Sequence, residues 1–136
     1  MTAAVFAMAG GAVATPPLSA APDRPSVSAY YECYGTTGSC IAAANMTTDT
    51  VTIAATGGSG AGPTYSWAKL AGDTFTITAS TSAATAFSAS VNRNSSKSAT
   101  YRCTVTRGAA TYDVDVPVYA QYIYASDTDP PIGPEP

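Results

Sequence analysis

The residues of this chain that could do chemistry are three cysteines, at 33, 40 and 103, nine acidic groups and many hydroxyls; there is no histidine. A serine hydrolase needs a base to take the hydroxyl proton, and no serine stands in a Gly-x-Ser-x-Gly turn, so triad hydrolysis in its common form is excluded. Glycoside hydrolysis needs two carboxyls facing each other across a cleft, one with a raised pKa. Asp113 and Asp115 instead alternate onto one strand face, and the pattern predicts no cleft. Calcium loops gather carboxylates and carbonyls around a glycine turn. Asp127-Thr128-Asp129 runs straight into prolines, and Asp73 and Glu135 stand apart, so all these groups are read as solvated carboxylates. Three separated cysteines without histidine do not supply a zinc ligand set. No catalytic residue, metal site or cofactor is expected.

An odd cysteine count leaves at least one thiol without an intramolecular partner. Cys33 and Cys40 are close enough along Tyr-Glu-Cys-Tyr-Gly-Thr-Thr-Gly-Ser-Cys to staple a loop, which would contribute about 2–3 kcal/mol in an oxidising compartment. In a reducing one they remain two thiols.

Composition narrows the partners. Charged residues make up 11% of the chain and the net charge is −3. The six basic residues, Arg24, Lys69, Arg93, Lys97, Arg102 and Arg107, form no stripe that could neutralise phosphates, so nucleic acid is not an expected partner. Met1 to Ala14 is small and apolar. It resembles the hydrophobic part of a signal peptide, with Ala-Val-Ala before Thr15, but has no basic residue in front. It is too short and too glycine-rich for a membrane span. We read residues 1–15 as an arm or leading strand that buries itself on its own domain or on a neighbour, with Val5 and Phe6 as candidate contact groups.

The elements that follow read as strands. Pro16-Pro17 closes the arm, and Pro22 and Pro25 break Leu18–Ala29 into an edge strand. Residues 30–45 read as a cysteine-bearing insertion. From Thr50, Val51, Ile53 and Ala55 alternate against polar neighbours. Gly57–Pro63 is a turn between strands, not a phosphate loop, because no helix follows to present its amides. Tyr65 and Trp67 share a face; Phe75 with Ile77, and Phe87, Ala89 and Val91, follow. Asn92–Ser98 reads as a polar turn. Tyr101, Cys103 and Val105 then point inward against Thr100, Arg102 and Thr104. After Arg107–Ala110 come Val114, Val116 and Val118 with Asp113 and Asp115 on the wet side, Pro117 marking an edge or a bulge. The tail, 123–136, is proline-rich and extended.

About seven short strands without helical periodicity predict an all-β, immunoglobulin-like β-sandwich over residues 16–122, with extended arms at both ends. Trp67 is its core tryptophan. Cys103, two residues after Tyr101, takes the place of the second core cysteine. The strand at 50–55 holds no partner for it, so Cys103 is read as a small buried hydrophobe, and Tyr101 as a tyrosine whose hydroxyl bonds backbone.

Thr-Tyr-Ser-Trp at 64–67, Leu-Ala-Gly-Asp at 70–73, Phe-Thr-Ile at 75–77, Ala84–Ala89 and Ser98–Thr106 together resemble the immunoglobulin-like and PKD-like domains common in tailed-phage virion proteins, as does the Pro-Leu-Ser-Ala opening at 17–20. The resemblance implies a non-enzymatic structural or attachment component of a virion, at a tail tip, tail fibre or capsid surface. Its partners would be other virion proteins, copies of itself, and a host-surface glycan or protein. The alternative is a secreted or surface-bound bacterial adhesion or carbohydrate-binding module.

Two tyrosine clusters are candidate contacts, because tyrosine offers large area at low entropic cost. They are Tyr30, Tyr31 and Tyr34, and Tyr119, Tyr122 and Tyr124. The bland account is that they cover the sandwich edge. The loops Gly57–Pro63 and Asn92–Ser98 are expected to face outward.

Overall fold

A computed structural model describes residues 15–125; Val5, Phe6 and the tail beyond Ala125 lie outside the described residues. Ten strands run in chain order: β1 Ser19–Pro22, β2 Val27–Tyr34, β3 Ala43–Thr47, β4 Val51–Thr56, β5 Thr64–Gly72, β6 Thr76–Ile77, β7 Ala84–Thr85, β8 Phe87–Asn92, β9 Ser95–Arg107 and β10 Ala110–Ala125. A short 3₁₀ turn, Thr37–Ser39, lies between β2 and β3.

The molecule is an all-β sandwich. One sheet has the order β2-β10-β9-β5. The other consists of two three-stranded ladders, β1-β4-β7 and β3-β8-β6. A buried threonine joins these ladders. The Thr48 amide donates to the Phe87 carbonyl at 2.8 Å, and the Phe87 amide donates to Thr48 Oγ1 at 3.1 Å. The same hydroxyl donates to the Asp49 carbonyl at 2.9 Å. Pairing that sets Thr47 against Ser88 resumes one residue out of step, with Val51 against Thr85, the signature of a β-bulge. Thus β3 and β4 are halves of one bent strand, and β7 and β8 halves of its neighbour. The count of ten exceeds the expected seven because the bulge divides two strands and the first strand changes sheets.

That change falls at the break the prolines predict in Leu18–Ala29. β1 pairs antiparallel with β4 from Ser19 opposite Thr56. Asp23 then locks the corner, its amide donating to the Thr52 carbonyl at 2.8 Å and its carboxylate accepting the Thr52 amide at 2.9 Å. Beyond it, β2 runs parallel to β10, from Val27 opposite Val118 to Tyr34 opposite Ala125. Pro117 lies on the stretch of β10 just before this pairing begins, where a missing amide on that side costs nothing.

Three sequence expectations change. Ile123–Ala125 do not belong to the tail: they continue β10, paired with Glu32–Tyr34 of β2. Residues 30–45 are not a separate insertion: Tyr30–Tyr34 completes β2, Ala43–Thr47 is β3, and only 35–42 leaves the sheets. Nor is Asn92–Ser98 an open loop. The turn shrinks to Arg93-Asn94, with Asn94 at φ 55°, and Ser95–Ser98 pair with Tyr122–Tyr119. Serines are accepted there because the ladder uses their backbone and solvent takes their hydroxyls.

Inward residues from both sheets make one core. Trp67 lies directly opposite Cys103, and its indole packs edge-on to Phe87 with centroids 5.6 Å apart while Nε1 donates to the Ser82 carbonyl at 2.8 Å. Phe87 and Tyr101 rings stand 4.8 Å apart. Val51 and Ile53, both fully buried, fill the side a cross-sheet disulfide would occupy. Burial of each such side chain contributes about 1.5–3 kcal/mol. Gly72 (φ 92°) permits the tight junction of β5 and β9; a β-carbon there would stand 2.5 Å from the Ser98 carbonyl oxygen. Asp73 and Ser98 stitch this junction through two bonds, at 2.8 and 2.9 Å.

The Tyr101 hydroxyl accepts the Phe75 amide at 2.7 Å and donates to the Phe75 carbonyl at 2.9 Å, both buried. Tyr101→Phe leaves two backbone groups without partners and is expected to lower unfolding free energy by about 2–3 kcal/mol in urea denaturation.

Candidate interaction surface

Strand parity decides which tyrosines face solvent. On β2, Ser28, Tyr30, Glu32 and Tyr34 point outward, and on β10 Tyr119 does, opposite Ser28. Tyr30, Tyr34 and Tyr119 are 57%, 44% and 40% exposed, an area large enough to matter to a partner. Glu32 organises this face. Tyr30 donates its phenol proton to Glu32 Oε2 at 2.7 Å, and that bond to a carboxylate, aided by burial, raises the Tyr30 pKa.

Tyr122 does not belong to the surface. It is fully buried, its hydroxyl donating to the Ile41 carbonyl at 2.6 Å, and burial raises its pKa. Parity places it inward with Val118 and Ala120, a consequence of β10 continuing without a bulge to Ala125. Tyr31 is 39% exposed but lays its ring edge-on against Tyr122 at 4.9 Å, so it caps the core. Tyr124 is half-buried, with the Arg93 guanidinium 5.7 Å from its ring centre. These three follow the bland reading; Tyr30, Tyr34 and Tyr119 are the ones left exposed.

The same end of the sandwich carries the cysteine loop. Cys33 and Cys40 are joined in a disulfide. Arg93 donates to the Cys40 carbonyl at 3.2 Å and its amide to the Ala42 carbonyl at 3.1 Å, while the Gly35 amide donates to the Ala125 carbonyl at 2.9 Å. Loop 35–42 is thereby tied to the β8–β9 turn and to the end of β10. The sequence offered no signal for Arg93 as the hub of this end, since it stood in what read as a polar turn.

At the opposite end, Gly57–Pro63 is exposed at its tip but held at its base. The Gly58 amide donates to the Pro16 carbonyl at 2.8 Å, and Arg107 donates to the carbonyls of Gly60 and Gly57 at 3.3 and 3.4 Å. Thr15, Ser59, Arg107 and Ala109 border a shallow hollow of about 400 Å³ there. A second hollow of about 400 Å³ lies between Ala71, Thr100, Pro117 and Tyr119.

The ionisable groups are engaged structurally. Asp113 and Asp115 are not simply solvated: Arg102 binds Asp115 through two bonds, at 2.7 and 3.1 Å, and reaches Asp113 at 3.6 Å, while Thr104 donates to Asp113 at 3.0 Å. The register sets Arg102 directly opposite Asp115. This bond lowers the Asp115 pKa and raises that of Arg102. Cys103 is free and buried, and burial pushes its thiol up to about 11. Among the described residues no three His, Cys, Asp or Glu side chains cluster to hold a metal ion, and no helix is long and apolar enough to cross a membrane.

Comparison with protein-family models, with curated proteins and with solved structures finds no match to this chain.

The native oxidised chain is expected to show no thiol reactive toward Ellman's reagent at pH 8 and one after denaturation, because a buried thiol with so high a pKa supplies almost no thiolate. Three reactive thiols in denaturant would show Cys33 and Cys40 reduced. Asp115 has a lowered folded pKa, so its contribution is present above the ordinary carboxylate value of 3.8 and is lost as pH falls below it. Asp115→Asn should flatten the acid limb of the stability curve in that window and lower stability at pH 7 by the same small amount, the pair being exposed.

Proposed function

We propose that this chain is a non-enzymatic structural and attachment component of a bacteriophage virion, docking to other virion proteins and to copies of itself and presenting its sandwich for contact with a host surface. The observation that carries the reading is the set of Tyr30, Tyr34 and Tyr119 on the outer face of a four-stranded sheet. Rigid aromatic groups on a rigid sheet lose little entropy on binding, which is the property an attachment surface needs. The sequence runs at 64–67, 70–73, 75–77, 84–89 and 98–106, which resemble domains of tailed-phage virion proteins, supply the context.

A second reading is favoured by the Cys33–Cys40 disulfide. Disulfides persist in oxidising surroundings, so a secreted adhesion or carbohydrate-binding module from a bacterial surface accounts for that bond directly.

Quantitative mass spectrometry of purified particles separates the two. A ratio of a few copies per particle, measured against the major capsid protein, is the expected result for a tail component, and hundreds for a capsid decoration. Absence from particles, with the chain found in the culture medium, would transfer the function to the secreted module.

A further inference from the structure

The four-stranded sheet has two edges. On β5 the Trp67 amide is taken by the Ser80 carbonyl at 2.8 Å and Lys69 stands at the rim, devices that discourage pairing with another chain. β2 is different. Its Ser28 carbonyl accepts the Asp49 amide at 3.4 Å, away from β10, and the Gly35 amide turns toward β10 to reach Ala125. Backbone groups alternate along a strand, so those of Tyr30 and Glu32 also turn away from β10, and no described residue pairs with them. Among the described residues this stretch of edge is unpaired at Tyr30 and Glu32, with exposed tyrosines on it and a single charge, Glu32.

We propose that this edge accepts residues 1–14 of a second copy of the chain as an added strand. The proposal rests on the proposed docking of the chain to copies of itself, and it names where that docking falls. Main-chain bonds would supply affinity and alternate side chains the fit. The composition of the arm fits strand addition, since residues 1–14 contain no proline and no charged side chain, every amide can donate, and Phe6 and Met8 fall on one face at spacing two. The other terminal segment does not fit, because Pro130, Pro131, Pro134 and Pro136 remove donors.

Reach argues for a second copy over the same one. Thr15 shares a hollow with Ala109 and Ala110, at the start of β10. Tyr30 pairs with Gln121, eleven residues further down β10, roughly 36 Å away, and Tyr34 lies still further. Phe6 and Met8 stand nine and seven residues before Thr15 and reach at most about 32 and 25 Å from it. Neither side chain reaches the Tyr30–Tyr34 edge of its own domain. Donor and acceptor are at opposite ends of the molecule, so the contact is head-to-tail and repeats into a ring or an open row.

Sedimentation velocity on three purified forms tests this: the full chain, the chain lacking residues 1–14, and full-length Glu32→Pro. The proline removes one outward amide and none of the bonds to β10; Tyr30→Lys, which charges the same edge, serves if Glu32→Pro fails to fold. The full chain should associate as concentration rises, while the truncated and edge variants remain monomers. An equimolar mixture of the two variants should give a one-to-one complex of doubled mass, the edge variant donating and the truncated chain accepting. A full chain that stays monomeric, or edge variants that assemble as the parent does, would overturn the contact. Particle incorporation distinguishes this failure from that of the proposed function. Edge variants present in particles at the parent's ratio would remove the arm-to-edge contact and leave the virion role, whereas a parent chain absent from particles would remove the virion role.

Discussion

Everything else in this structure hangs on the ladder between β9 and β10, which pairs Ser95 through Arg107 with Tyr122 through Ala110 without a break. It fixes parity for both strands at once, and a slip of one residue would send every inward side chain to solvent. Because β10 is paired on its far half with β2 and β9 is paired with β5, the ladder also positions both neighbours. The core aromatics and valines, the Arg102–Asp115 pair outside and the capping of Tyr122 by Ile41 are each a reading of that single register.

The polar groups buried by this arrangement are few and each is answered locally. Thr48 substitutes a hydroxyl for a missing ladder partner, Tyr101 holds both backbone groups of Phe75, and Trp67 finds the Ser82 carbonyl. Buried polar atoms without partners cost more than a typical hydrogen bond returns. These three side chains thus let irregular segments, the bulge, the 73–75 turn and the 80–83 turn, lie against the core.

Much of the fold was legible because alternation in Val51–Ala55, Tyr101–Val105 and Val114–Val118 is strict, and a half-buried strand leaves that mark directly. The ends of the strands were not. Tyr30–Tyr34 and Ser95–Ser98 have side chains that match an exposed loop as well as a strand, and only long-range partners on β10 decide between the two. The candidate surface was half legible: tyrosine content pointed to two clusters, but separating Tyr122 from Tyr119 required the register, and Glu32 became visible only as the acceptor of the Tyr30 hydroxyl. Arg102 beside Asp113 and Asp115 follows from alternation once β9 and β10 are known to pair, a cross-strand fact with no local signature.

The described chain enters at Thr15, beside the β9–β10 turn, and leaves at Ala125, at the other end of the sandwich. Its last strand runs parallel to β2 over Val118–Ala125 and antiparallel to β9 along most of its length. Tension applied between these two points acts along the strands and loads the bonds of the β2–β10 ladder together, in shear, instead of opening them one at a time. In that geometry the ladder's bonds share a load applied along the strands.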